Sequence, residues 1–229
     1  MISGGLALAA VTALPAADEE VIPFLDTKPI NPERPTLPWD QTTSWITPKD
    51  HFFSVAHYGY PDVDPATWRL EISGLVENPR SLTLDALRSR PAAEFVATLE
   101  CSGNSPSGGL IGNTRWAGTP LALLLKDCGL KNDAVDVVFY GADQGTEKIR
   151  ASDYLQQFAR SLAVPDALRE NVLLCWQMHG EPLTKNHGAP IRLVVPGWYG
   201  IAWVKWLTRI EVHDRRFLST PFRKYDDVF

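Results

Sequence analysis

ATLECSGNSPSGGLIGNTRWAGTP, residues 97–120, is the stretch around which the rest of the chain is read. A strand-like run, Glu94 to Leu99, delivers Cys101. A Gly/Ser/Asn-rich loop follows, Ser102 to Thr114, and a helix is expected to begin at Thr119. Three readings of Cys101 compete. A free cysteine is most often a small buried hydrophobe. It can be a nucleophile if a histidine partners it and its thiol is acidified. It can also be a soft thiolate ligand for a transition metal. Spacing alone favours the first. The loop tips the balance, because Ser102-Gly103-Asn104-Ser105 offers little to pack and much backbone N–H, which suits close approach of a ligand. No CxxC or HExxH spacing accompanies it, so a zinc site made by protein alone is not indicated. Further ligands to a metal would come from a cofactor.

Length and charge bound the rest. The chain has 229 residues, 45% of them hydrophobic and 21% charged, enough for one domain with a full core. A net charge of −5 argues against nucleic acid as a partner. The three cysteines are no disulfide framework. Cys128 falls in a helical pattern and Cys175 in an apolar strand pattern, so both read as buried thiols.

Residues 1–17, MISGGLALAAVTALPAA, are apolar, rich in small residues and too short to span a bilayer. They resemble the end of an export leader without its basic start. Residues 18–40 carry prolines at 23, 29, 32, 35 and 38 and read as an extended arm. Residues 41–229 then form the domain. Strands are expected over Thr67–Ile72, Glu94–Leu99, Val135–Tyr140, Val172–Met178, Ile191–Val195 and Trp203–Val212. Helices are expected over Thr83–Ser89, from Thr119 with Pro120 in its first turn and Gly129 past its end, and over Ser152–Ala159. Gly141-Ala142-Asp143-Gln144-Gly145 reads as a turn. The fold class is α+β, mixed and richer in strand than helix.

Two separated motifs resemble the sulfite oxidase family of molybdenum enzymes. Cys101-Ser102-Gly103-Asn104 followed by Arg115-Trp116-Ala117-Gly118 is similar to that family's cysteine loop. His187-Gly188-Ala189-Pro190-Ile191-Arg192-Leu193-Val194-Val195-Pro196-Gly197, continuing to Val204-Lys205-Trp206-Leu207, resembles its second signature. Together the matches run from about Phe52 to Tyr225. The resemblance implies a pyranopterin-dithiolene cofactor, molybdopterin, holding molybdenum beside one protein cysteine. It implies Cys101 as the metal ligand. It also implies His57, Asp143, His187, Arg192, Trp203, Val204 and Lys205 as cofactor contacts, and Tyr225 as an active-site tyrosine.

Ordinary alternatives stand beside these roles. His57 fits an aromatic cluster, Asp143 a turn, Arg192 and Lys205 a solvated strand face, and Tyr225 packing near a chain end. Arg115 reads as structural. Trp198 and Tyr199 read as lining a pocket mouth or as aromatic core. In two places the sequence departs from the family. Val55 stands where sulfite-oxidising members carry an arginine, and Ser105-Pro106 stand where arginines often follow the cysteine loop. Those arginines bind an oxyanion.

The resemblance thus implies an oxidoreductase performing two-electron oxygen-atom transfer on a small sulfur or nitrogen compound, in the manner of a sulfite dehydrogenase. The alternatives are a periplasmic sulfoxide reductase of the methionine-sulfoxide type and a non-catalytic cofactor-binding homologue. The implied partners are a small oxo-acceptor or oxo-donor and a one-electron carrier, such as a c-type cytochrome or a membrane haem protein. A monomer, exported to the periplasm by a twin-arginine route, is expected.

Overall fold

In the computed structural model, residues 36–105, 108–149 and 151–217 are described. The leader, the arm up to residue 35 and Tyr225 lie outside them. Two sheets share one core. The first has the order β2-β1-β10-β5-β6, built from β1 (Arg69–Gly74), β2 (Arg80–Thr83), β5 (Asp136–Ile149), β6 (Ser152–Ala163) and β10 (Leu207–His213). The second has the order β3-β4-β7-β8, with β3 (Ala93–Glu100), β4 (Ile111–Pro120), β7 (Leu173–Met178) and β8 (Glu181–Pro182). In it β9 (Arg192–Val194) also pairs with β7. All pairings are antiparallel except β1 with β10, which is parallel. The strand-rich α+β reading holds.

Alternation explains the strands. In β1, Leu70 and Ile72 are buried while Arg69 and Glu71 are exposed, the period-2 pattern of a half-covered sheet. The helices are short. In α1 (Leu84–Arg88) the Thr83 hydroxyl accepts from the Ala86 N–H at 3.1 Å, the expected cap. In α2 (Leu121–Cys128), Leu121, Leu124, Leu125 and Cys128 form one buried stripe at helical spacing. Gly129 ends it at φ +69°, where a side chain would be strained. Helix α3 (Val164–Ala167) is a single turn.

Five expectations need correction. The loop after Cys101 does not reach Thr114, because β4 begins at Ile111 and pairs with β3 from there. Thr119 does not cap α2. The segment before the helix is strand β4, paired to β3 on one side and β7 on the other, so its backbone is committed to two ladders. The Thr119 hydroxyl donates to the Pro91 carbonyl at 2.7 Å, and the helix begins at Leu121. Ser152–Ala159 is not helical but part of β6, paired with the far end of β5 from Gln144 to Ile149. Tyr154 and Leu155 stay exposed there, so a helix would have had no core to bury them in. Gly141 to Gly145 is not a turn: β5 runs through it, with the register broken between Tyr140 and Gln144 as a bulge. The last strand begins at Leu207, not Trp203. Trp206 has φ +48°, which breaks the extended run and turns Lys205 out of the sheet.

Candidate active site

Loops from both sheets converge on one cluster of polar side chains. Cys101 follows β3 and is half-buried. Its carbonyl accepts from the Asn104 N–H at 2.9 Å, and its Sγ accepts from the Gly103 N–H at 3.4 Å. Asn104 closes the loop, donating Nδ2–H to Glu100 at 3.1 Å and accepting the Leu110 N–H at 2.8 Å. The thiol is thus set by its own loop. A Cβ on Gly200 would lie 3.0 Å from Leu99 and 3.1 Å from the Glu100 carbonyl, so the Gly200–Ala202 turn rests against the strand end that delivers Cys101.

The same turn leads to Trp203, Val204 and Lys205. The Trp203 and Val204 side chains are core. Their main chain connects to β9: the Val204 carbonyl accepts from Leu193 N–H at 2.8 Å and the Trp203 carbonyl from Arg192 at 3.2 Å. Arg192 is only 3% exposed, which rules out the solvated-face reading. It donates also to the His187 carbonyl at 3.2 Å and sits 5.0 Å from the ring centre of Trp116. Its Nε has no partner among the described residues. Burial pushes its pKa down to about 10, so it remains a cation at neutral pH.

Lys205 lies beside it. Its ammonium donates to the Val55 carbonyl at 2.8 Å and, less closely, to Ser54 Oγ and the Asn186 carbonyl at 3.4 Å. The ring of Trp206 lies 4.3 Å away and that of Tyr60 5.1 Å. Burial first, and then the Arg192 charge, push its pKa down to about 7. His187, like Arg192, is buried. Its Nδ1 accepts from the Thr184 hydroxyl at 2.8 Å, and burial together with Arg192 pushes its pKa down to about 4. Its ring is therefore neutral at pH 7. Gly188, at φ +98°, lies where a Cβ would meet Lys205 and Arg192 side-chain atoms at 2.9–3.1 Å, so the close packing of this pair requires glycine.

Asp143 stands on the bulge of β5. It is 3% exposed and its Oδ1 has no hydrogen-bond partner among the described residues. Burial raises its pKa, against the pull of Lys205 and His57. His57 is held by the same hairpin through Glu147 at 3.1 Å. The structure therefore brings together Asp143, His187, Arg192 and Lys205, with His57 at one side, and places Cys101 on the neighbouring loop. Sequence reasoning missed Ser54, Asn186, Glu147 and Arg160. None carries a local motif; each is recruited by pairing or by a loop that crosses the chain.

A cleft of about 680 Å³ is lined by Trp45, Val96, Thr98, Glu100, Trp198 and Tyr199, none of them in this cluster. It follows the outward face of β3, one residue short of Cys101, and Trp198 and Tyr199 stand at its edge, 42% and 57% exposed. No group of three or more His, Cys, Asp or Glu side chains among the described residues is placed to hold a metal, so Cys101 would need ligands from elsewhere.

Comparison with known proteins meets this geometry. Residues 57–220 match the family described as the oxidoreductase molybdopterin binding domain. The chain is similar to mitochondrial sulfite oxidase of Homo sapiens, 35% identical over 229 residues, covering 91% of this chain and 41% of that protein. It is similar to nitrate reductase [NADH] 1 of Arabidopsis thaliana, 33% identical over 218 residues, covering 87% of this chain and 23% of that one. Among solved structures it resembles the sulfane dehydrogenase SoxCD from Paracoccus pantotrophus, with a TM-score of 0.69 and 29% identity, over 93% of this chain and 56% of that chain. The chain thus spans less than half the length of these two curated relatives.

Proposed function

This chain belongs to the oxidoreductase molybdopterin-binding domain family, and from that premise we propose that it performs two-electron oxygen-atom transfer on a small sulfur compound. The family's cofactor is molybdopterin with molybdenum, and the residues present fit it. Among the described residues, Asp143 Oδ1 and Arg192 Nε are buried polar atoms without a hydrogen-bond partner, one an acceptor and one a donor. That pair carries the reading. They are two of seven such atoms among the described residues, and they are set apart by standing in one cluster with Lys205, where a ligand would complete both.

Each residue has a task in this reading. Arg192 and Lys205 supply the positive charge that an anionic, phosphate-bearing group needs in a partly dry site. Asp143 and His57 offer acceptors to ring N–H groups. Neutral His187 shapes the loop whose carbonyl holds Arg192. Cys101 supplies the soft ligand, and its loop fixes the sulfur's position. When bound, the metal and its dithiolene supply the two-electron redox chemistry. Electron transfer to a c-type cytochrome or a membrane haem protein, in the periplasm, completes the proposal by analogy with the resemblance alone.

A specific observation favours a second reading of the substrate. Val55, where sulfite-oxidising members carry an arginine, presents only its carbonyl to Lys205 and is itself 38% exposed. Without that second cation the site suits a neutral sulfoxide better than an oxyanion. The test follows the visible spectrum of loaded protein. Sulfite is added to the oxidised form and methionine sulfoxide to the reduced form. Rapid bleaching by sulfite supports a sulfite dehydrogenase; reoxidation by the sulfoxide alone supports a reductase. Molybdenum-loaded protein that reacts with neither would overturn both. Cys101→Ser should keep bound pterin but lose at least about a hundredfold in turnover, because a hard hydroxyl replaces a soft thiolate.

A further inference from the structure

Residues Phe52 to Pro61 have almost no secondary structure of their own, yet they must present His57 in a fixed orientation. What holds them is the far half of the β5–β6 hairpin. One oxygen of Glu147, on β5, receives two hydrogen bonds, from His57 Nε2 at 3.1 Å and from the Tyr58 hydroxyl at 3.0 Å. The two rings meet edge to face at 4.3 Å. Tyr58 lies directly on Gly145, where a Cβ would come within 2.4 Å of its ring, so only glycine allows the approach. From β6, Phe158 packs against the His57 ring at 5.9 Å, and the guanidinium of Arg160 lies 4.5 Å above Phe158. The segment is therefore clamped to the hairpin by two hydrogen bonds, one glycine contact and one ring contact.

We propose that Glu147 is a positioning residue: it fixes the ring and the tautomer of His57 so that Nδ1 is left as a bare acceptor for the bound pterin. A carboxylate can only accept, so the proton of the neutral imidazole is drawn to Nε2. The Tyr58 hydroxyl, sharing the same oxygen, stops the carboxylate from swinging away. Loss of that acceptor oxygen would release both. The hairpin that carries Asp143 at its bulge thus also sets His57, and one element orients two of the cofactor contacts. This rests on the molybdopterin reading above.

The test uses Glu147→Ala, Glu147→Gln, His57→Ala and the His57→Ala/Glu147→Ala double variant, with two readouts. The first is long-range proton–nitrogen correlation of the His57 ring in protein without cofactor, above pH 8. Wild type should show Nε2–H alone, and E147A a mixture of both tautomers. The second is the rate of pterin release from loaded protein. E147A should release it about tenfold faster than wild type, and E147Q, which keeps an acceptor oxygen, within about threefold. The double variant should release it no faster than His57→Ala alone, because Glu147 acts through His57. Wild-type tautomers in E147A, or effects that multiply in the double variant, would overturn the proposal. Failure of wild type to hold any pterin would overturn the cofactor reading instead, and the nitrogen spectra, taken without cofactor, would still judge the role of Glu147.

Discussion

Lys205 is a lysine held where a lysine is costly. It is half-buried, it faces the Arg192 cation, and its partners are neutral carbonyls and a hydroxyl with only Asp143 in opposition. Its folded pKa of about 7 lies well below the ordinary lysine value. Between those two values the unfolded chain binds a proton that the folded chain does not, so stability rises with pH across that window. The cofactor-free protein should therefore gain about 2 kcal/mol between pH 7 and pH 9 from this group alone. Urea titrations at the two pH values read it, and Lys205→Met should remove the gain. An equal gain in the variant would mean that the ammonium is solvated. An anion bound nearby reverses the cost, since the charged form then gains a partner. His187 shows the opposite use of burial. Its pKa of about 4 keeps it uncharged, so the cluster does not stack a third cation on Arg192 and Lys205.

At the scale of elements, the site depends on places where regular structure is interrupted. Asp143 faces inward because β5 bulges, Lys205 leaves the sheet because Trp206 adopts a positive φ, and Arg192 meets Lys205 because Gly188 has no side chain. Gly188→Ala puts a Cβ at a strained backbone angle and against both cations' side chains. It should cost about 1–3 kcal/mol, read as a lower urea midpoint with unchanged slope, and it should weaken cofactor retention as well. A stable, fully retentive variant would show that the pair's spacing is not set there. These interruptions mark what could be read from the sequence. The strand that delivers Cys101, α1 and the buried stripe of α2 have local patterns, and the structure has them where the patterns point. Strands β4 and β6 do not. Gly112 and Thr114 look like loop residues until β3 claims their backbone. Ser152–Ala159 has helix-compatible spacing until β5 pairs with it. Glu147 is ordinary until that pairing sets it against His57. Long-range partners decide such segments, and a local window does not contain them.

At the scale of the molecule, the two sheets are joined by one continuous apolar cluster, and the site sits at its rim. Leu70, Ile72, Phe139 and Ile210 of the first sheet belong to the same cluster as Trp116, Leu174 and Leu193 of the second. Trp116 stands at the junction. It is fully buried, meets Phe52 at 5.8 Å and Trp203 at 5.6 Å, lies under Arg192, and donates its indole N–H to the Ala97 carbonyl at 3.1 Å. It thereby ties the segment before His57, the loop before Lys205 and the strand leading to Cys101 to one ring. Two consequences follow from that continuity. Unfolding should be a single transition, with the same urea midpoint by far-ultraviolet circular dichroism and by tryptophan fluorescence. Trp116→Ala should lower that midpoint by the equivalent of about 3–5 kcal/mol while keeping the transition single, because the cavity opens in a core both sheets share. Two separated transitions in the variant, one sheet outlasting the other, would show that the sheets are stable independently. The site at their junction would then be held by its loops rather than by the core.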